Sequence, residues 1–226
     1  MNTSEHYYKE ITKALPETDF WTQVRRTENG VAVSEEQIEM IVEQVTRQLR
    51  LTSDDRLLDL CCGNGALSER ILQRCKGGLG VDYSEYLVSV ANKYFANPDR
   101  IFVCADVSAF VDAPSDCQFE KGLCYGSFQF LPKDAAIPFV EKLFHNFSMT
   151  HFLIGNIPDR NLADTFFKRR DITDYKLDDN TSAIGRWWSP TELAGNASRI
   201  GWTTEVLRMP NEYHSSSYRF DLLLIR

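Results

Sequence analysis

The chain predicts an α/β fold, a parallel sheet wound on both faces by helices, and three strand ends carry that prediction. The apolar run Leu57-Leu58-Asp59-Leu60 breaks into Cys61-Cys62-Gly63-Asn64-Gly65, and a helix opens at Ala66. Strand, glycine turn and helix bring backbone N–H groups close to a ligand, because glycine tolerates positive φ and has no Cβ in the way. A second apolar run ends in Gly80-Val81-Asp82, where an acid can accept hydrogen bonds from both hydroxyls of a ribose. A third, over residues 101–105, ends at Asp106.

The remaining elements follow in order. Residues 3–15 put Tyr7, Tyr8, Ile11 and Leu15 on one helix face, and Pro16 ends that helix. Asn29-Gly30 signals a turn. Ser34-Glu35-Glu36-Gln37 reads as a capping box, and Ile38, Ile41, Val42, Val45 and Leu49 form the stripe of a helix covering one sheet face. The helix from Ala66 is expected to reach Cys75, with Gly77-Gly78 as its C-cap. Ser84 N-caps a helix whose Leu87, Val88 and Ala91 face inward. After Asp106 there is room for one or two helical turns, broken by Pro114.

Residues 119–125 form the fourth strand, and 134–147 an amphipathic helix with Pro138 expected in its first turn. Residues 151–155 form the fifth strand. His151 starts that strand, on the side away from a ligand. A long charged and aromatic connection over 159–188 follows, either an acceptor-specific insert or a solvated helix and loop with a few packing aromatics. Ser189 and Pro190 open the next helix, Gly201 closes it, and residues 202–209 and 217–226 are the last two strands.

Composition narrows the function. The chain has 226 residues, 43% hydrophobic, enough for one domain with an added cap. A net charge of −7 weighs against a large phosphate-contacting surface, so no nucleic-acid partner is expected. No apolar run approaches the ~18 residues of a membrane span, and the N-terminus has no signal-peptide pattern, so no membrane partner is expected either. Six cysteines lie without C-x-x-C or metal-like spacing and read as small core residues of a cytoplasmic protein.

Asp59 with Gly63-Asn64-Gly65, then Asp82-Tyr83, then Ala105-Asp106-Val107 resemble the first three motifs of the class I S-adenosylmethionine-dependent methyltransferases. The resemblance runs from about residue 50 to the C-terminus. It implies a Rossmann-like seven-stranded sheet, mostly parallel with the last strand antiparallel. It also implies an N-terminal helical cap over residues 1–50, a methyltransferase domain over 51–226 and an acceptor-side insert over about 157–190. The implied cofactor is S-adenosylmethionine, released as S-adenosylhomocysteine, with no metal. Its contacts would come from Asp59, Cys61, Gly63, Asn64, Gly65, Asp82, Tyr83, Asp106, Val107 and Tyr125. Arg26 would pair with the methionine carboxylate and Trp21 would wall the site, unless the two simply hold the cap together. Tyr7 or Tyr8 could reach cofactor or acceptor.

The implied reaction is in-line methyl transfer to a small-molecule acceptor, by O- or N-methylation with a general base where needed. His214 is the first candidate base because imidazole titrates near neutrality; otherwise it is an exposed loop histidine. Tyr125, Asp159 and Tyr213 stand behind it. The segment 213–221 is similar to methyltransferases of sugar or natural-product pathways, and the absent Asn/Asp-Pro-Pro-Tyr disfavours adenine and glutamine nitrogens. Two alternatives stay open: a non-catalytic partner subunit of the same fold, and a nicotinamide-dependent oxidoreductase. The second lacks its third glycine, because Ser68 occupies that position.

Overall fold

The computed structural model describes residues 3–113 and 118–226, so the break expected at Pro114, and Cys117, lie outside the described residues. The chain opens with α1 (Thr3–Lys9), a 3-10 turn at Ile11–Ala14 and α2 (Phe20–Gln23). The single helix expected over 3–15 is thus two pieces. Ile11 and Thr12 are β-branched, and the Thr12 hydroxyl bonds back to the Tyr8 carbonyl at 3.1 Å, competing with the helix ladder. The strands β1 (Thr27–Glu28) and β2 (Val31–Ala32) pair around Asn29-Gly30, whose φ values of 51° and 81° suit a tight hairpin.

Next comes α3 (Glu35–Gln48), capped by Ser34, whose Oγ accepts from Gln37 N at 3.4 Å. The expected stripe Ile38, Ile41, Val42, Val45 and Leu49 is buried against Leu57, Leu123, Leu153 and Leu223. Each such side chain contributes about 1.5–3 kcal/mol by leaving water. This helix therefore belongs to the sheet layer although it lies within the 1–50 span.

Sheet and helices then alternate: β3 (Arg56–Leu60), α4 (Ala66–Leu72), β4 (Gly77–Asp82), α5 (Glu85–Tyr94), β5 (Arg100–Cys104), α6 (Val107–Phe110), β6 (Lys121–Tyr125), α7 (Lys133–Asn146), β7 (His151–Pro158), α8 (Ala163–Lys168), α9 (Pro190–Ile200), β8 (Thr203–Leu207) and β9 (Arg219–Ile225). The seven-stranded sheet has the order β5-β4-β3-β6-β7-β9-β8, with β9 antiparallel to both its neighbours and the other pairs parallel. One face is covered by α3, α4 and α5, the other by α6, α7 and α9. No described helix is long and apolar enough to cross a membrane.

Three local expectations need correction. The helix α4 stops at Leu72, and Gly77-Gly78 opens β4 instead of capping the helix. A Cβ on Gly78 would fall 2.0 Å from the Leu57 carbonyl oxygen and one on Gly77 2.1 Å from that of Asp99, so neighbouring backbone, not a helix end, demands these glycines. Pro138 sits in the second turn of α7, because the helix starts at Lys133, and one intrahelical donor is missing there. The strand β7 continues to Pro158 through a register shift between Ile154 and Ile157, with Asn156 at φ 62°.

The sequence order reverses between β3 and β6, and in such sheets the crevice beyond the strand C-termini is where ligands bind. The 159–188 connection beside it holds its own small core. Ala163, Phe166, Phe167 and Trp187 are buried there, and Phe167 stacks on Tyr175 at 3.8 Å. The buried Arg186 and Arg160 share Asp178 at 2.6 and 2.9 Å.

Candidate active site

A cavity of about 790 Å³ opens over the C-terminal ends of the central strands, roofed by residues of α1 and the 24–27 segment. Its glycine loop is tightly built. Cys61, Gly63 and Gly65 have φ values of 64°, 59° and 76°, and Cys62 N bonds to Val81 O at 3.1 Å. A Cβ on Gly63 would meet Val24 Cγ1 at 2.8 Å, so loop and cap touch directly.

Asp82 is buried and accepts from Gly63 N and Ser84 N, both at 2.9 Å, locking the loop to the β4–α5 turn. Burial still holds its carboxyl above the usual range. Beside it lies Tyr83, with Lys9 Nζ 5.2 Å from its ring centre. Asp106 caps α6 through Ser108 N and Ala109 N at 2.9 and 3.1 Å, and Val107 lines the wall next to it. Tyr8 also lines the cavity, its hydroxyl pushed by burial to about 12.

Arg26 reaches the middle of the cavity. Its Cζ lies 5.3 Å from the Tyr125 ring centre, and its buried Nε has no hydrogen-bond partner. Such an orphaned guanidinium N–H is a ready partner for a ligand carboxylate. Tyr125 is 4% exposed, its hydroxyl beside that of Tyr213 and its pKa raised by burial. His214 lines the far wall. Its backbone N donates to Gln37 Oε1 at 2.8 Å, and burial lowers its imidazole pKa, leaving a neutral ring near pH 7.

The cavity thus gathers Arg26, Cys61, Gly63, Asn64, Asp82, Tyr83, Asp106, Val107, Tyr125, Tyr213 and His214 from the expected set. Four others fall outside it. Asp59 is buried beneath the loop, takes the Ser68 hydroxyl at 2.5 Å and is pushed by burial to about 7. Gly65 caps α4, crowded by Ala91 and Phe102. Trp21 is corrected as a wall of the site: its Nε1 donates to Glu35 at 3.1 Å and Arg70 sits over its ring, which ties the cap to α3. Asp159 is corrected as a candidate base. It is 1% exposed, caps the 160–162 turn through Asn161 N and pairs with Arg208, so it offers no oxygen to the cavity.

Several contacts that build the wall were not legible. Gln37 does not complete a capping box with its side chain but bonds Glu212 O at 3.0 Å and holds His214 N. Asn64 ties the loop to the cap through Phe20 O and Gln23 Oε1 at 2.7 and 2.9 Å. Gln129, Asn156, Ser215 and Arg219 also line the cavity. The one available signal was position: Gln129 follows β6, Ser215 precedes β9, and Asn156 and Arg219 lie in the ligand-side ends of β7 and β9.

Known proteins agree with this geometry. The family described as a methyltransferase domain matches residues 57–147. An uncharacterised methyltransferase of Schizosaccharomyces pombe is 28% identical over 83 residues, 37% of this chain, and the chain spans only 30% of that relative's length. The magnesium protoporphyrin IX methyltransferase of Synechocystis, solved with bound S-adenosylhomocysteine, superposes with a TM-score of 0.65 at 14% identity, over 96% of this chain and 98% of that one. The small RNA methyltransferase HEN1 superposes with a TM-score of 0.63 at 16% identity, over 86% of this chain and 25% of that one. Residues 57–147 thus match a methyltransferase-domain family, and the chain as a whole shares the fold of methyltransferases such as the one solved with S-adenosylhomocysteine.

Proposed function

We propose that this chain transfers a methyl group from S-adenosylmethionine to a hydroxyl or amine of a small molecule. One observation supports the reading above others: a single cavity joins Asp82, Tyr83 and Asp106 at one end to Tyr125 and His214 at the other. In this reading Asp82 takes the ribose hydroxyls, Tyr83 lies against the adenine, and Asp106 and Val107 border it. Arg26 takes the methionine carboxylate with its free Nε. The sulfonium of the bound cofactor supplies an already activated methyl group.

The chain's own task is then to align the nucleophile behind that methyl and to exclude water. The segment before α3 closes the site from above, with Val24 packed on Gly63 and Asn64 bonded to Phe20 and Gln23. His214, kept neutral by burial, removes the proton from the acceptor hydroxyl or ammonium, a role that contributes roughly 10²–10⁴-fold. Tyr125 borders the junction between donor and acceptor. The free cysteines among the described residues suit a reducing compartment, the cytoplasm.

A small molecule is favoured over RNA because the cavity lies under a cap and the chain carries a net charge of −7. The test is incubation with methyl-labelled S-adenosylmethionine and, in parallel, a fractionated small-metabolite extract or total RNA. Label is expected in the small-molecule fraction; label confined to RNA would overturn the acceptor class.

A further inference from the structure

The cavity is divided by charge. Its lining acids among the described residues are Glu5, Asp82 and Asp106, and all three stand at the α1, β4 and β5 end. The opposite end is walled by Tyr125, Gln129, Asn156, Tyr213, His214 and Arg219, without a carboxylate. Three acids stand near that end without lining it, Glu28 acting on the His214 ring from outside the wall. Asp159 pairs with Arg208, and Asp221 Oδ1 accepts from Asn156 N at 2.7 Å behind the wall.

Arg219 is therefore a cavity-lining cation for which no ion pair is formed among the described residues. Its Nη1 donates to the Asn156 carbonyl at 2.5 Å, fixing the guanidinium against the β7 bulge, and Tyr218 lies 5.1 Å from its Cζ. The wall around it is also unfinished in hydrogen-bonding terms. Gln129 is 2% exposed; its Nε2 donates to Gly126 O at 2.8 Å, while its Oε1 has no partner. Buried polar atoms are rarely left unmatched unless a ligand completes them.

A bound methyl donor brings one carboxylate, which Arg26 answers, and Arg219 stays unmatched. We infer that the acceptor carries an anionic group, a carboxylate or a phosphate-type oxyanion, which Arg219 holds while Gln129 and Tyr125 orient the rest of the molecule. This inference rests on the methyltransferase reading. A guanidinium donating to an oxyanion makes a charge-assisted contact that a neutral isostere cannot reproduce.

The test first measures loading with S-adenosylhomocysteine, then titrates the loaded protein with benzoate, phenylphosphonate and the neutral benzamide. At least one anion is expected to bind about tenfold or more tightly than benzamide. Comparing the two anions separates a carboxylate site from a phosphonate-type one. Arg219→Gln is expected to abolish the preference without changing S-adenosylhomocysteine affinity, and Arg219→Lys to retain part of it. Benzamide binding as well as both anions, or no binding of either anion, overturns the inference using the unaltered protein alone. Failure to load S-adenosylhomocysteine would instead sink the methyltransferase reading beneath it.

Discussion

The two ends of the cavity are made in different ways. The proposed donor end is backbone geometry held by short-range bonds: a glycine loop, Asp82 tied to Gly63 and Ser84, and Asp106 tied to the start of α6. The acceptor end is assembled from side chains far apart in sequence, with Gln37 holding His214 and Asp221 holding Asn156. The first kind of site is set by local sequence. The second depends on how sheet and loops pack, so it can change acceptor without disturbing the donor.

If that contrast is right, substitutions at the two ends separate cleanly. The largest effect is expected from Asp82→Ala, which removes the ribose acceptor and orphans two backbone donors. S-adenosylhomocysteine affinity should fall about a hundredfold by calorimetry. Unchanged affinity would dissolve the donor-end assignment. Gly65→Ala comes next, because φ is 76° and its Cβ would meet Ala91 and Phe102 at 2.9 Å. Thermal unfolding should show a loss of about 2–3 kcal/mol.

His214→Asn should lower kcat about a hundredfold while leaving S-adenosylhomocysteine affinity unchanged. The acid limb of the wild-type pH profile should lie below pH 6.5, because burial lowers the imidazole pKa, and the variant should lack that limb. An unaltered limb would remove His214 from proton transfer.

The smallest effect is expected from Asp221→Asn. Burial pushes this carboxyl from 3.8 to about 6, so its stabilising contribution is full below 3.8 and lost as pH rises through about 6. The asparagine variant should lose less stability than the wild type as pH rises between those values, and should gain nothing below pH 3.8. Parallel stability curves would show that Asp221 is not neutral in the folded chain.

The same contrast explains what could be read from the sequence. Period and turn chemistry revealed the α3 stripe, the Asn29-Gly30 turn and the strand ends at Asp82 and Asp106, while the family resemblance implied the antiparallel strand. They misread Gly77-Gly78, because a glycine required by a neighbouring strand's carbonyl looks like one that ends a helix. Asp159 was misplaced because strand-end position does not reveal that a distant Arg208 claims the carboxylate. Arg219 and Gln129 were not singled out within their segments because no local pattern shows which polar side chain is left unmatched once the chain is packed.

The most direct test of the central claim is calorimetric titration of the purified chain with S-adenosylhomocysteine, using NADH as comparison. Binding of the first at micromolar affinity, and none of the second, is the predicted result. Binding of NADH, or of neither ligand, would contradict the assignment of this cavity to a methyl donor.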